Sequence, residues 1–162
     1  MKNVAPIIIG LLLILCNCGI YTFSPSALGG IKTIAIPVFE NQTTEYGLEE
    51  LITQELNQAF VDDNTLKVVP EGQNDAVLQG TVTSYSREAY TYDINEQVEE
   101  YIVRVTMKVK LQNTKTNKII WEEENLSDYG LYSSLEETET DGKIETIKKL
   151  VNEILNRTVK GW

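Results

Sequence analysis

Tyr101-Ile102-Val103-Arg104-Val105-Thr106-Met107-Lys108-Val109-Lys110-Leu111-Gln112 is the stretch that decides the fold class. Tyr101, Val103, Val105, Met107, Val109 and Leu111 alternate with Ile102, Arg104, Thr106, Lys108, Lys110 and Gln112. Such unbroken period-two alternation marks a β-strand with one buried and one wet face. The strand reads from about Val98 to Asn113. A partner precedes it, from Asp75 to about Tyr92, joined through Asp93-Ile94-Asn95-Glu96. After the turn Asn113 to Asn117 (NTKTN), Lys118 to about Tyr129 returns as a third long strand, with Ile119 and Trp121 expected inward. At ~3.3 Å per residue these strands reach ~40–50 Å, which is long for a small domain.

Upstream, Ile31 to Val38 also alternates, placing Ile34, Ile36 and Val38 on one side. Pro37 cannot donate to a ladder, so the strand should end at an edge or exit there. Beyond the polar turn Glu40 to Thr44, the apolar positions become Leu48, Leu51, Ile52, Leu56, Ala59 and Phe60. That spacing marks one face of an amphipathic helix, which Asp62-Asp63-Asn64 should end. Leu66 to Val69 is a short second strand, and strand–helix–strand in close succession suggests a right-handed parallel crossover. At the other end, Ile144, Ile147, Val151, Ile154 and Thr158 restore the helical period, with Leu150 and Leu155 beside them. Acids at the start (Glu136, Glu137, Glu139, Asp141) and cations at the end (Arg157, Lys160) suit the helix dipole. The expected class is α+β: a two-layer sandwich, with a mixed sheet of roughly four to five strands and two helices on one face.

The chain has 162 residues, enough for one domain with a core of its own. Lys and Arg number 14 against 24 acids, giving a formal charge of −10. With no basic block, nucleic acid is excluded as an expected partner, because phosphate binding needs clustered cations. There is no histidine, which removes the usual general base and the commonest zinc ligand. No nucleophile–base pair stands out, so no enzyme, cofactor or metal is expected.

The N-terminus reads as an export signal. Met1-Lys2-Asn3 is a positive start, and Val4 to Leu15 (VAPIIIGLLLIL) is uncharged and apolar. A membrane-spanning helix needs ~20 apolar residues, whereas signal-peptide hydrophobic regions run to ~7–15. A buried core helix fits poorly, since the run holds Pro6 and Gly10. Leu15-Cys16-Asn17-Cys18 resembles a bacterial lipobox with Cys18 as lipid acceptor, although Asn17 replaces the usual small residue before the cut. Residues 1–17 are accordingly read as a lipoprotein signal peptide, 18–30 as the lipidated N-terminus and a short tether, and 31–162 as a single domain.

Cys18-Gly19-Ile20-Tyr21-Thr22-Phe23-Ser24 resembles the C-G-Y-x-F-S start of mature LptE lipoproteins, with Ile20 inserted. Residues 30–41 (GIKTIAIPVFEN) and Gly47-Leu48-Glu49 are similar to that family's first strand and helix. Ala76 to Gly80, Ser84 to Glu88 and Ile120-Trp121-Glu122 continue the likeness. The resemblance implies a non-enzymatic outer-membrane lipoprotein of lipopolysaccharide export. Such a protein would be a plug and assembly partner of the β-barrel LptD, on the periplasmic face, with lipopolysaccharide as a candidate ligand. Residues 36–41 with Leu66 to Val69 are also similar to penicillin-binding-protein activators and curli-secretion-type domains, the rival interaction modules. Those carry longer Pro-rich tethers.

Because lipopolysaccharide is anionic, a chain of charge −10 could meet it only through a local cluster. Arg104, Lys108 and Lys110 share one strand face, with Arg87, Lys115 and Lys118 candidates nearby. Arg and Lys pair well with phosphate. The simpler account is a solvated sheet face with Glu122 and Glu124 as cross-strand partners. Tyr90, Tyr92, Asp93 and Asn95 form a candidate partner-contact hairpin, beside Tyr85 and Tyr101, since Tyr buries area yet keeps a polar tip.

Overall fold

The computed structural model describes Leu28 and residues 30–160. In chain order the elements are β1 (Thr33–Ala35), β2 (Glu40–Asn41), α1 (Leu48–Asp63), β3 (Lys67–Val68), β4 (Ala76–Tyr92), β5 (Val98–Asn113), β6 (Ile119–Ser133) and α2 (Glu139–Lys160). They form an α+β fold. The sheet runs β3-β1-β4-β5-β6, with β2 also paired to β4. β1 is parallel to β3 and β4, while β4, β5 and β6 are successively antiparallel. As the alternation requires, Val103, Val105, Met107, Val109 and Leu111 are all fully buried. Val105, Met107, Val109 and Leu111 pack with Ile52, Leu56 and Phe60 of α1 and Ile147, Leu150 and Ile154 of α2, while Val103 lies against Gly142 of α2.

Six strands form where four or five were expected, and Pro37 is the cause. β1 stops at Ala35, the chain arches away, and it rejoins β4 only at Glu40–Asn41. The arch shifts the pattern by one: Val38 is 65% exposed, and Phe39 turns inward instead. Phe39's ring lies on Gly80 so closely that any Cβ there would overlap it. Thr53, in the middle of α1, takes the Phe39 amide on its hydroxyl at 3.0 Å.

β6 departs from expectation at its start. Gln112 pairs with Ile119 but Leu111 pairs with Trp121, so Ile120 is an extra residue. That bulge turns Ile119 to the wet side, 53% exposed, and leaves Trp121 on the helix side. β6 also runs on to Ser133. There Gly130 lets α2 come close, since a Cβ would collide with the Gly142 carbonyl.

Candidate functional site

The three long strands produce two surfaces. Arg104, Lys108 and Lys110 point away from the helices, as their place between the buried residues of β5 demands. Opposite Met107–Val109, β6 carries an extra residue, so Lys108 meets both glutamates of the bulged strand. Its Nζ lies 2.6 Å from Glu124 and 3.3 Å from Glu122, and both carboxylates raise its pKa, Glu124 more. Arg104 lies over the Tyr129 ring, 5.3 Å from its centroid. Lys110 makes no ion pair among the described residues. The third acid of the run, Glu123, turns to the helix side and binds Arg157 at 3.0 Å.

Lys108 and Lys110 also line one wall of a polar cleft of about 400 Å³. Its floor is Gln79, Gly80 and Thr81 of β4, and its far wall is the Pro37–Val38 arch with Glu40 and Glu71. The cleft exists because the chain leaves the sheet between β1 and β2. Two ammonium groups facing two carboxylates make it suited to small polar groups rather than apolar ones.

Arg87 lies on the other face. β4 has a bulge between Val82 and Ser84, which reverses its alternation and pairs Arg87 with the buried Val103. Arg87 therefore points to the helix layer, stacked 3.9 Å from the Tyr101 centroid. Its Nε donates to the Tyr132 hydroxyl and lies 3.3 Å from Glu139. The Tyr132 contact is the main reason its pKa rises. The Tyr85 hydroxyl donates to Glu139 at 2.6 Å. Burial, then this bond, pushes the Tyr85 phenol far above its usual range, and the same bond leads in holding the Glu139 carboxyl down. Lys143 bridges Glu139 and Glu45; burial works against its charge, but the two carboxylates outweigh it. Lys115 is elsewhere again, bound to Asp75 at 2.5 Å at the foot of β4, and Lys118 lies in the exposed β5–β6 turn.

This network has a mechanical role. No residue from 83 to 102 is fully buried, so the upper arms of the β4–β5 hairpin have no core of their own. Arg87, Tyr101 and Tyr132 clamp them to the start of α2. Above the clamp, Tyr90 (52%), Tyr92 (59%) and Ile94 (98%) stand out in solvent. Asp93 closes the tip, accepting from the Asn95 and Gln97 amides at 2.8 Å each. The Gln97 bond is the main cause of its lowered pKa. Tyr90, Tyr92, Asp93 and Asn95 are thus together on one exposed tip, whereas Arg87 is separated from Arg104, Lys108 and Lys110 by the thickness of the sheet. Sequence reasoning missed Tyr132, Glu139, Lys143 and Glu45. The contacts that tie them across elements span 45 to 98 residues, and only the Glu139–Lys143 pair, one helical turn apart, is local.

Cys18 and the signal segment lie outside the described residues. Among the described residues, no helix is long and apolar enough to cross a membrane.

The lipopolysaccharide-assembly family model, LptE, matches residues 31–158, nearly all of the described chain. The chain belongs to the LptE family. LptE proteins are non-enzymatic lipoproteins of lipopolysaccharide assembly. No curated protein sequence matches the chain. Its fold is similar to a hypothetical protein of Chlamydia trachomatis, at TM-score 0.59 and 11% identity over 80% of this chain and 96% of that one. A protein of Xanthomonas campestris is similar at 0.56 and 10%, covering 80% and 84%. A minor lipoprotein of Acinetobacter baumannii is similar at 0.52 and 13%, covering 80% and 93%. At such identities the likeness concerns the fold alone.

Proposed function

We propose that this LptE-family chain is a lipid-anchored outer-membrane lipoprotein that sits as a plug in the LptD β-barrel and helps that barrel assemble. Cys18 carries the lipid, residues 1–17 are the removed signal, and 18–30 tether the domain to the periplasmic face of the membrane. The observation that carries the reading is the family match over residues 31–158. Its structural support is the β4–β5 hairpin, whose exposed tyrosines can bury area against a barrel wall while keeping their hydroxyls wet. The outer face of β5 is polar, as a surface turned to a water-filled lumen must be. Lipopolysaccharide contact falls to Arg104, Lys108 and Lys110, a local cation group on an acidic protein. Arg87 acts indirectly by holding the hairpin.

The test is a pull-down of the tagged full chain from detergent-solubilised outer membranes, with and without residues Asp93 to Glu96. The intact chain should recover a large β-barrel, and the deletion should recover much less. Recovery of a peptidoglycan synthase instead would overturn the reading in favour of a penicillin-binding-protein activator.

A further inference from the structure

The sheet ends in a long strand, β6, whose outer edge has no neighbour among the described strands. Its second half is closed by side chains. The Leu131 amide donates to Glu145 at 3.0 Å and the Ser133 amide to Glu137 at 2.7 Å. Lys149 donates to the Tyr129 carbonyl at 2.8 Å. Groups occupied in this way cannot template another chain.

The first half of β6 is different. The Asn113 amide donates to the Lys118 carbonyl, and Leu111 and Val109 lie opposite Trp121 and Glu123. By the alternation of an antiparallel ladder, the backbone groups of Glu122 and Glu124 then point outward. No side chain among the described residues takes either amide; the nearest such bond is Asn125 N–H to the Glu123 carboxylate, at 3.4 Å. The bulge opposite Lys108 separates this half of the strand from the half whose edge is capped.

The helix nevertheless continues alongside. Glu145, Lys149, Asn152 and Asn156 follow one another at helical spacing on one stripe of α2. The first two cap the edge. The two carboxamides after them make no hydrogen bond to the described residues, and they line a groove of about 690 Å³ with Trp121, Lys149, Glu153 and Arg157. The Trp121 indole N–H is buried without a partner, the one such side-chain group among the described residues. An open edge, unused carboxamides and an unpaired donor meet at one place.

We infer that the Ile119–Asn125 edge and this groove accept an extended segment of a partner protein as an added β-strand, bearing Lys or Arg at alternate positions. The incoming backbone would pair with Glu122 and Glu124, while Asn152 and Asn156 can both donate and accept. Charge selects the occupant. A second copy paired across a two-fold axis would set the Glu122-Glu123-Glu124 run against itself, on a chain already at −10. A cationic strand meets a surface that stays net acidic after its internal pairing, since Glu122, Glu123, Glu124, Glu145 and Glu153 outnumber Lys108, Lys149 and Arg157. The inference concerns this chain's own edge and stands apart from the barrel and lipopolysaccharide reading.

The test is amide hydrogen exchange on the full chain in detergent, with synthetic peptides of about nine residues. The first alternates Lys and Val, the second alternates Glu and Val, and the third is the first with every backbone amide methylated. The Lys–Val peptide in excess should slow exchange at Glu122 and Glu124 at least about tenfold, leaving Leu131 and Ser133 unchanged. The other two peptides should leave exchange unchanged at all four residues. Glu122→Pro should abolish the slowing while the fold persists, because proline is tolerated where an edge amide faces outward. Should that variant unfold, the peptide series on the unaltered chain decides alone. No slowing by the Lys–Val peptide would overturn the inference, as would equal slowing by its methylated form. Slowing that rises with protein concentration and no peptide would overturn it in favour of a second copy.

Discussion

Thr53→Val is the substitution that tests how the cleft is built. The Thr53 hydroxyl accepts the Phe39 amide at 3.0 Å and donates to the Glu49 carbonyl at 2.6 Å. Thr53 is 8% exposed and Phe39 3%, so water cannot readily replace either partner. Valine has the same shape but no acceptor, which leaves a buried N–H unpaired at a cost of about 1–3 kcal/mol. The gain from an extra buried methyl offsets part of this, ~0.8 kcal/mol, for a net loss of ~0.2–2 kcal/mol. For a domain of this size that is a fall in Tm of roughly 1–8 °C. Thr53→Ser keeps the hydroxyl and loses one methyl, so it should cost ~1 kcal/mol or less. Urea and thermal unfolding followed by circular dichroism measure both variants. Amide exchange at Phe39 should accelerate in Thr53→Val and stay nearly unchanged in Thr53→Ser. A Thr53→Val variant as stable as the parent, with Phe39 still protected, would show that the arch over Gly80 is held by something other than this hydroxyl.

On the outer face, Lys110→Gln should weaken lipopolysaccharide binding about tenfold, the worth of one charge-assisted hydrogen bond. Lys108→Gln should weaken it less, because Glu122 and Glu124 already compete for that ammonium. Equal, unchanged binding in both well-folded variants, measured by titration with purified lipopolysaccharide, would remove the ligand role of this face. Arg87→Met should cost about 1–2 kcal/mol through lost stacking and pairing, and Arg87→Lys should not restore it. Hydrogen exchange should rise in the hairpin arms and not in the core; uniform change would sink the clamp. Asp75 accepts from Lys115 and from the Lys32 and Thr33 amides, which hold its carboxyl well below the usual range, Lys115 most. A carboxyl depressed by folding stabilises above its unfolded pKa of ~3.9 and loses that contribution as pH falls through its folded value. The Tm difference between parent and Asp75→Asn should hold steady above about pH 5 and shrink below it; a pH-independent gap would refute the linkage.

How far the sequence could be read depends on the range of the forces involved. Period two in β5 and period three-four in the helices are local consequences of side-chain direction. They determined the long strands, both helices, the α+β class and the wet placement of Arg104, Lys108 and Lys110. The stretch from Tyr101 to Gln112 needed no correction at all. The departures occur where a single residue shifts the count. Pro37 could not join the ladder, so the chain arched, Phe39 replaced Val38 in the core and a sixth strand formed. The extra residue at Ile120 turned Ile119 outward, and the bulge after Val82 carried Arg87 through to the helix side. A bulge has no sequence signature of its own; it is settled by which register fills the core. Tertiary structure alone therefore decided that Arg87 clamps a hairpin instead of joining the cation cluster. It alone also decided that α2 closes half of the β6 edge and leaves the other half open.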